Sequence, residues 1–134
     1  MKKKIVWIID DDPIFQTIIN KLIQKSGVFS THSSFVNGKD ALTTLNTILE
    51  IDEEYIPDII LLDINMTIMD GWEFMEEIKR IKSKISKQII IYIVSSSIAI
   101  EDRNKSKTFS EITGYIAKPI SVKDLLAIVQ SNKY

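Results

Sequence analysis

Cysteine is absent from the chain and histidine occurs once, which limits the chemistry that its side chains can perform. Without cysteine, disulfides and thiolate metal sites are excluded, and a cytosolic setting is expected. The one histidine, His32, has no partner histidine and lies in a polar segment that predicts an edge strand. We therefore expect neither a catalytic nor a metal-binding role for it.

The chain also lacks a large excess of charge of either sign and a long hydrophobic run. Its 17 basic and 18 acidic residues give a formal charge of -1, without the basic footprint of a nucleic-acid-binding protein. The apolar run at residues 5–9 ends at three aspartates and is too short for a signal peptide or a membrane span. With no repeat and no linker, we expect one domain over residues 1–134 that binds neither nucleic acid nor membranes.

Apolar segments predict the strands of a buried sheet. Residues 5–9, 59–62 and 89–94 are continuously apolar, which is typical of strands covered on both faces. Residues 29–35 are more polar and indicate an edge strand, and residues 114–117 indicate a short last strand. The three most apolar strands, which are the first, third and fourth, should lie at the centre of the sheet.

Helix signals stand between and after these strands. Four predicted helices begin at local start signals: Asp12 before Pro13, Asn37 before Gly38, Asp70 with Glu73, and Ser121 with Asp124. A weaker helix, polar and poorly periodic, is predicted near residues 99–107. Five strands alternating with five helices predict an α/β fold, a doubly wound parallel sheet of the flavodoxin-like (βα)5 type with strand order 2-1-3-4-5.

One edge of the predicted sheet collects charged and hydroxyl side chains. They are Asp10, Asp11 and Asp12 after the first strand, Asp63 after the third, Ser95 after the fourth and Lys118 after the fifth. In open parallel sheets, ligands bind at this edge, beyond the carboxyl ends of the strands. The plainer alternative is that Asp63 only caps a turn or the following helix.

This acidic cluster predicts a bound cation. Two like charges about 4 Å apart cost about 4 kcal/mol at an effective dielectric of about 20, and a cation offsets that cost. An all-oxygen site suits Mg²⁺, for which Mn²⁺ can substitute. Lys118 could pair with Asp63 or with a phosphate oxygen, and Ser95 adds a hydroxyl donor. Together these groups predict a site for a phosphoryl group attached to Asp63.

Five short motifs occur in order on these elements. They are Ile8-Ile9-Asp10-Asp11-Asp12-Pro13, Leu61-Leu62-Asp63-Ile64-Asn65-Met66, Met69-Asp70-Gly71, Val94-Ser95-Ser96 and Lys118-Pro119. Each motif alone is weak evidence, but all five in order form a specific pattern. With them the chain resembles the receiver domain of two-component response regulators, from its first strand to its last helix.

The resemblance implies a phosphoacceptor and a metal site. Asp63 would accept a phosphoryl group from the phosphohistidine of a histidine kinase or a histidine phosphotransfer protein. Asp11, Asp63 and the backbone carbonyl of Asn65 would ligate Mg²⁺ directly, and Asp10 would act mainly through a metal-bound water. Asp12 matches a third acidic position and is expected to be a helix cap.

The resemblance also implies a switch. Ser95 and Lys118 would hold phosphate oxygens, and Tyr115 would turn inward when the Ser95 hydroxyl moves towards the phosphate. Asn65 and Ser97 flank the site and should tune hydrolysis of the acyl phosphate. We expect a downstream protein to read the switch on the surface of the fourth helix, the last strand and the last helix, which includes Lys105, Lys107, Tyr115 and Lys123.

Two positions depart from the family pattern. Thr67 stands where the family usually has proline, so we expect a less rigid loop after the phosphoacceptor. Ser95 stands where threonine is commoner, which keeps the hydroxyl and loses a methyl group. The resemblance therefore still predicts a stand-alone cytoplasmic switch in a phosphorelay, monomeric or weakly dimeric, and no enzyme beyond slow self-dephosphorylation.

Two other classes of protein share part of this pattern. Haloacid-dehalogenase-like phosphatases also use an aspartyl phosphate, Mg²⁺, a hydroxyl and a lysine. They carry a second acid two residues after the nucleophile, where this chain has Asn65, and a cap domain that this chain lacks. Flavodoxins need a hydroxyl- and glycine-rich phosphate loop after the first strand, where Asp10 and its acidic neighbours would repel phosphate.

Overall fold

The computed structural model describes residues 4–131 as one parallel sheet with helices on both faces. The strands are β1 (Lys4–Ile9), β2 (Phe29–Phe35), β3 (Ile59–Leu62), β4 (Ile90–Ser95) and β5 (Ile112–Ala117). The helices are α1 (Pro13–Ser26), α2 (Gly38–Ile51), α3 (Gly71–Ile81), α4 (Ile100–Ser106) and α5 (Val122–Ser131). Short 3-10 turns at Glu53–Tyr55 and Lys82–Lys84 follow α2 and α3. None of the helices described is long and apolar enough to cross a membrane.

The strand order is β2-β1-β3-β4-β5 with every pair parallel, which confirms the predicted fold. The carboxyl ends of the central strands are level, because Ile9 lies opposite Leu62 and Leu62 lies opposite Ile93. Ser95 pairs with Ala117 at the end of β5. The residues that follow these strands are therefore brought to the same edge.

Alternate residues of the strands face two separate cores. Leu62 and its alternate neighbours in β3 and β1 pack against α2 and α3, and Leu61 and its neighbours pack against α1 and α5. All of the β3 side chains are buried. Since burying one large aliphatic side chain contributes about 1.5–3 kcal/mol, these two layers hold the central strands rigidly beneath the carboxyl edge.

Local caps fix where the helices begin. The Asp12 side chain accepts a hydrogen bond from the Ile14 N–H, which confirms the predicted cap of α1. Asp70 and Glu73 form a reciprocal capping box at α3, as predicted. At the other end of α1, Gly27 has φ 68, a left-handed conformation that closes the helix. The helix starts are thereby held close to the strand ends.

The last strand is longer than predicted. It begins at Ile112, whereas the sequence predicted a start at Gly114. The pairing of β4 with β5 is irregular between Ile91 and Tyr92, and Gly114 lies opposite Tyr92 directly after this irregularity. A glycine inside a strand often marks such a bulge, and for this reason the sequence pattern placed the start of the strand at Gly114.

The α4 helix is the shortest of the five and the least buried. Its only buried residue is Ser106, and Ile100 at its start is exposed. This agrees with the weak helical pattern in the sequence.

Candidate functional site

Three carboxylates meet at the carboxyl edge, as the sequence predicted. Asp10, Asp11 and Asp63 each offer an oxygen, and these oxygens lie within 4.8 Å of one another. The Asp63 N–H donates to the Ile9 carbonyl at 2.9 Å, so the β1–β3 ladder extends to Asp63. Asp10 is 1% exposed and Asp63 is 7% exposed, whereas Asp11 is exposed. Two of the three charges are therefore largely removed from water.

Asp12, the third carboxylate of the acidic run, lies apart from this group. Asp12 accepts a hydrogen bond from the Ile14 N–H at 2.9 Å and caps α1, as predicted. Its own N–H donates to Asp10 Oδ1 at 2.9 Å. The backbone N–H of Asp12 thus orients the Asp10 carboxylate, while the side chain of Asp12 caps α1.

Lys118 reaches the site but pairs differently from the expectation. Its ammonium lies 2.8 Å from Asp10 Oδ2 and forms an ion pair with Asp10, not with Asp63. The backbone N–H of Lys118 donates to the Ser95 carbonyl at 2.9 Å. The ammonium also lies 4.2 Å from the centre of the Phe15 ring. Asp10 is the more buried carboxylate, so its charge has the greater need of a counter-ion. This explains why Lys118 pairs with Asp10.

Burial, and after it the nearby charge of Asp10, raise the pKa of the Asp63 carboxyl from 3.8 to about 6. The Lys118 ammonium opposes this rise, since it favours the charged carboxylate. Asp63 is therefore mostly ionised at neutral pH in the metal-free protein, but at an energetic cost. A carboxylate in that condition is suited to gain from a cation or to act as a nucleophile.

The raised pKa predicts a pH dependence of stability. Between the unfolded pKa of 3.8 and the folded pKa of about 6, the folded state binds more protons at Asp63, so the free energy of unfolding falls as pH rises. We expect Asp63 to destabilise the chelator-treated protein at pH 7 by at most about 2 kcal/mol relative to pH 4, after allowance for solvent screening. Urea unfolding across this range, compared with Asp63→Asn, measures the effect. Equal pH dependence in both proteins would mean that the pKa is not raised.

The donor set of this site fits a hard divalent cation. Asp10 Oδ2 is buried, and within residues 4–131 its one polar partner is the Lys118 ammonium, so a cation could still share this oxygen. Asp11 and Asp63 add carboxylate oxygens, and Asn65 lies exposed two residues after Asp63. Oxygen ligands that cluster in this way, with an open side to water, suit Mg²⁺ or Mn²⁺.

The hydroxyl side of the site is held by the segment between β4 and α4. Ser95 is fully buried, and its hydroxyl oxygen accepts a hydrogen bond from the Ser97 N–H at 3.1 Å. The Ser97 hydroxyl donates to Asp102 at 2.6 Å, so it is occupied in fastening the start of α4. Tyr115 donates its hydroxyl to the Ser97 carbonyl at 2.9 Å. The Tyr115 hydroxyl is thus bound to the same segment that carries Ser95 and Ser97.

Gln16 holds the acidic turn in place and was missed from the sequence. Its side-chain nitrogen donates to the Asp10 carbonyl at 2.9 Å and to the Phe35 carbonyl at 3.2 Å. The Phe35 carbonyl also accepts the Asp10 N–H at 2.9 Å. One amide therefore ties the ends of β1 and β2 together. The sequence does carry a signal for this role, because Gln16 is a polar residue at helical spacing from Ile19 and Ile23, which face inward.

Gly71 was recognised as part of a motif but not for its packing. A Cβ atom built at this position would lie 2.4 Å from the Asp63 carbonyl oxygen and 2.9 Å from the Ile64 Cα. The Gly71 N–H donates to the Ile64 carbonyl at 2.8 Å. The start of α3 can approach the end of β3 this closely only because glycine has no side chain.

The expected output surface is partly divided by α4. The Arg103 guanidinium lies 4.7 Å from the Tyr115 ring centre on β5, whereas the Lys105 ammonium lies 5.4 Å from the Trp72 ring centre on α3. Trp72 in turn stacks on Phe109 with ring centres 6.0 Å apart. Lys107 and Lys123, the other expected members of this surface, are exposed. Lys105 thus faces α3, and Arg103 takes the place next to Tyr115.

Comparison with known proteins gives one family. Residues 6–130 match the model of the response regulator receiver domain. The chain is 32% identical over 116 residues to a protein-glutamate methylesterase/protein-glutamine glutaminase of Treponema pallidum, covering 85% of this chain and 26% of that protein. It is 29% identical to the chemotaxis protein CheY of Halobacterium salinarum, covering 94% and 96% of the two chains. The chain spans only 14–26% of the length of the first three curated relatives.

A solved structure shows the same architecture. The crystal structure of a two-component response regulator from Cytophaga hutchinsonii superposes with a TM-score of 0.87 and 26% sequence identity, covering 98% of this chain and 97% of that one. A chain from the Mn²⁺-bound form of the response regulator Rcp1 superposes with a TM-score of 0.72 at 23% identity, covering 96% of this chain and 90% of that one. The second likeness, at this identity, concerns the fold.

Proposed function

Since this chain belongs to the response regulator receiver domain family, we propose that it is a phosphorylation switch whose acceptor is Asp63. The observation that carries the proposal is the meeting of three carboxylates, each with an oxygen within 4.8 Å of the others, at the carboxyl edge where Asp63 is buried. Receiver domains are signalling switches that interact with histidine kinases or histidine phosphotransfer proteins, and such a protein is the proposed donor here.

The proposed step is a transfer from nitrogen to oxygen. An Asp63 carboxylate oxygen attacks the phosphorus of the donor's phosphohistidine, and a P–O bond forms as the P–N bond breaks. The electron pair of the P–N bond stays on the imidazole, whose other nitrogen carries a proton, so a neutral imidazole leaves. The acceptor must be ionised for this attack, and a pKa of about 6 leaves Asp63 mostly ionised at neutral pH.

Asp10, Asp11, Asp63 and the backbone carbonyl of Asn65 would hold the metal ion, Mg²⁺ or Mn²⁺. When bound, the cation supplies positive charge that offsets the carboxylates and the phosphoryl oxygens. Asp10 would act mainly through a water, because it lies deepest and already orients its carboxylate through the Asp12 N–H.

Lys118 and Ser95 would hold the phosphoryl oxygens. The Lys118 ammonium is already at the site, on Asp10, and is free to contact a phosphoryl oxygen once another cation offsets the Asp10 charge. Ser95 is fixed at the end of β4, where its hydroxyl can donate on the opposite side. Asn65, exposed at the edge, would tune hydrolysis of the acyl phosphate, and Ser97 would act through its hold on α4.

The proposed output is a change in binding, without turnover of a substrate. Movement of the Ser95 hydroxyl towards the phosphate would remove the acceptor of the Ser97 N–H, and Ser97 carries the carbonyl that holds Tyr115. The surface of α4, β5 and α5 would shift with Tyr115, and a downstream cytoplasmic protein would bind the shifted form. The protein itself would be a monomer or a weak homodimer.

Incubation with acetyl phosphate and Mg²⁺ tests the proposed function. We expect the intact mass to show one phosphoryl adduct per chain, labile to hydroxylamine as an acyl phosphate is, and no adduct when a chelator is added. A haloacid-dehalogenase-like phosphatase would instead release many equivalents of inorganic phosphate without holding the adduct. Absence of any adduct with Mg²⁺ present would contradict the proposal.

A further inference from the structure

The loop between β3 and α3 contains a strained turn at Ile68. Ile68 has φ 69, which among the non-glycine residues described occurs only there. The Met69 N–H donates to the Thr67 carbonyl at 2.7 Å, closing a three-residue turn centred on Ile68. Turns of this hand are rare, and a β-branched side chain at positive φ is the least favourable choice for one.

The surrounding backbone maintains the strain. The Met69 carbonyl accepts the Gly38 N–H at 3.1 Å, and the Gly71 N–H donates to the Ile64 carbonyl at 2.8 Å, so both ends of the loop are fastened. The Ile68 side chain is 74% exposed, so its packing within the chain offsets little of the conformational free energy of the strained turn. A costly conformation that presents an aliphatic side chain to water, beside a site, points to a contact outside the chain.

Other exposed aliphatic side chains surround the same edge. With Ile68 they form what we call the apolar rim: Ile14 in the first turn of α1, Val36 after β2, and Ile98 and Ile100 after β4. Each follows the carboxyl end of a strand, so the topology places the whole set around the three carboxylates. The apolar rim is therefore centred on the acceptor.

We propose that Ile68 is a docking residue for the histidine-bearing protein that phosphorylates Asp63. This rests on the proposed function. Asp63 is 7% exposed at the floor of the edge, so a protein donor must cover the surrounding loops to bring its phosphohistidine within bonding distance. Such a donor must contact the loop that begins at Asp63, which contains Ile68. A small donor such as acetyl phosphate needs no such contact.

The test compares a protein donor with a small donor. The probes are acetyl phosphate and a panel of purified sensor kinases and histidine phosphotransfer proteins, each carrying a labelled phosphohistidine. The variants are Ile68→Gly, which removes both the strain and the side chain, and Ile68→Leu, which keeps an aliphatic contact without branching at Cβ. Ile51→Gly is the matched control, because Ile51 is 76% exposed at the end of α2, away from the apolar rim.

Ile68→Gly should raise the melting temperature by about 2–5 °C while lowering the ratio of the protein-donor rate to the acetyl-phosphate rate about tenfold or more. Ile68→Leu should keep that ratio within about twofold of the wild type. Ile51→Gly should leave it unchanged. An unchanged ratio in Ile68→Gly would overturn the docking role, as would a panel in which no protein donor labels a chain that acetyl phosphate labels. Failure of acetyl phosphate itself would refute the proposed function instead.

Discussion

Asp63→Asn should take no phosphoryl group from acetyl phosphate, whereas the wild-type chain gains one. The amide that replaces the carboxylate is a poor nucleophile and cannot form the acyl phosphate bond. Asp10 does not substitute for it, because Asp10 is 1% exposed and held by Lys118 at 2.8 Å. Intact-mass measurement with Mg²⁺, before and after hydroxylamine treatment, gives the result directly. The expected effect is complete loss of the adduct.

Asp12→Asn is the matched control for that experiment. It makes the same chemical change in the same acidic cluster of the sequence, but Asp12 caps α1 by accepting the Ile14 N–H. Asparagine caps helices about as well as aspartate, so folding and labelling should both persist. Labelling that persists in Asp63→Asn would move the acceptor to another residue.

Gly71→Ala should destabilise the protein by about 3 kcal/mol or more. The added Cβ would lie 2.4 Å from the Asp63 carbonyl oxygen and 2.9 Å from the Ile64 Cα, and both atoms belong to backbone that the sheet holds. The gain in helix propensity from alanine, at most about 1 kcal/mol, cannot offset a contact of this kind. Urea unfolding measures the loss, and slower labelling of the folded fraction would show that the acceptor has moved.

Gly27→Ala separates this steric effect from the ordinary cost of replacing a glycine. Gly27 has φ 68 and no heavy atom within 4 Å of the position that a Cβ would take. Only the left-handed backbone is penalised there, at about 1 kcal/mol, and no effect on labelling is expected. If both variants lose the same free energy of unfolding, the start of α3 does not lie as close to the end of β3 as these distances require.

The sequence predicted the sheet because its signals are strong and local. The run from Ile59 to Leu62 has no polar residue, which is typical of a strand covered on both faces, and its place in the sheet follows from connection rules. Once strand order is known, the meeting of Asp10 with Asp63 follows from topology alone. Caps such as Asp12 depend on two or three adjacent residues and are equally visible.

Details of the site depend on contacts between residues far apart in the chain. The choice of Asp10 over Asp63 as the partner of Lys118 is set by a difference in burial that no local pattern carries. Gln16 donates hydrogen bonds to backbone carbonyls at the ends of two strands. Because every residue has a backbone carbonyl, no sequence pattern predicts such a contact. The positive φ of Ile68 runs against residue preference, so a sequence pattern points away from it.

Because α4 makes few buried contacts with the rest of the domain, we expect it to unfold locally and independently of the sheet. It is fastened to its surroundings by Arg103 over Tyr115, Lys105 over Trp72 and the Ser97–Asp102 hydrogen bond, and it buries no aliphatic side chain of its own. Local opening costs little where few apolar contacts break, so α4 can detach and reclose while the sheet keeps its full global stability. Because salt screens the charges of Arg103 and Lys105 near the surface, we expect local opening of α4, measured by amide hydrogen exchange, to increase with ionic strength while the sheet stays protected.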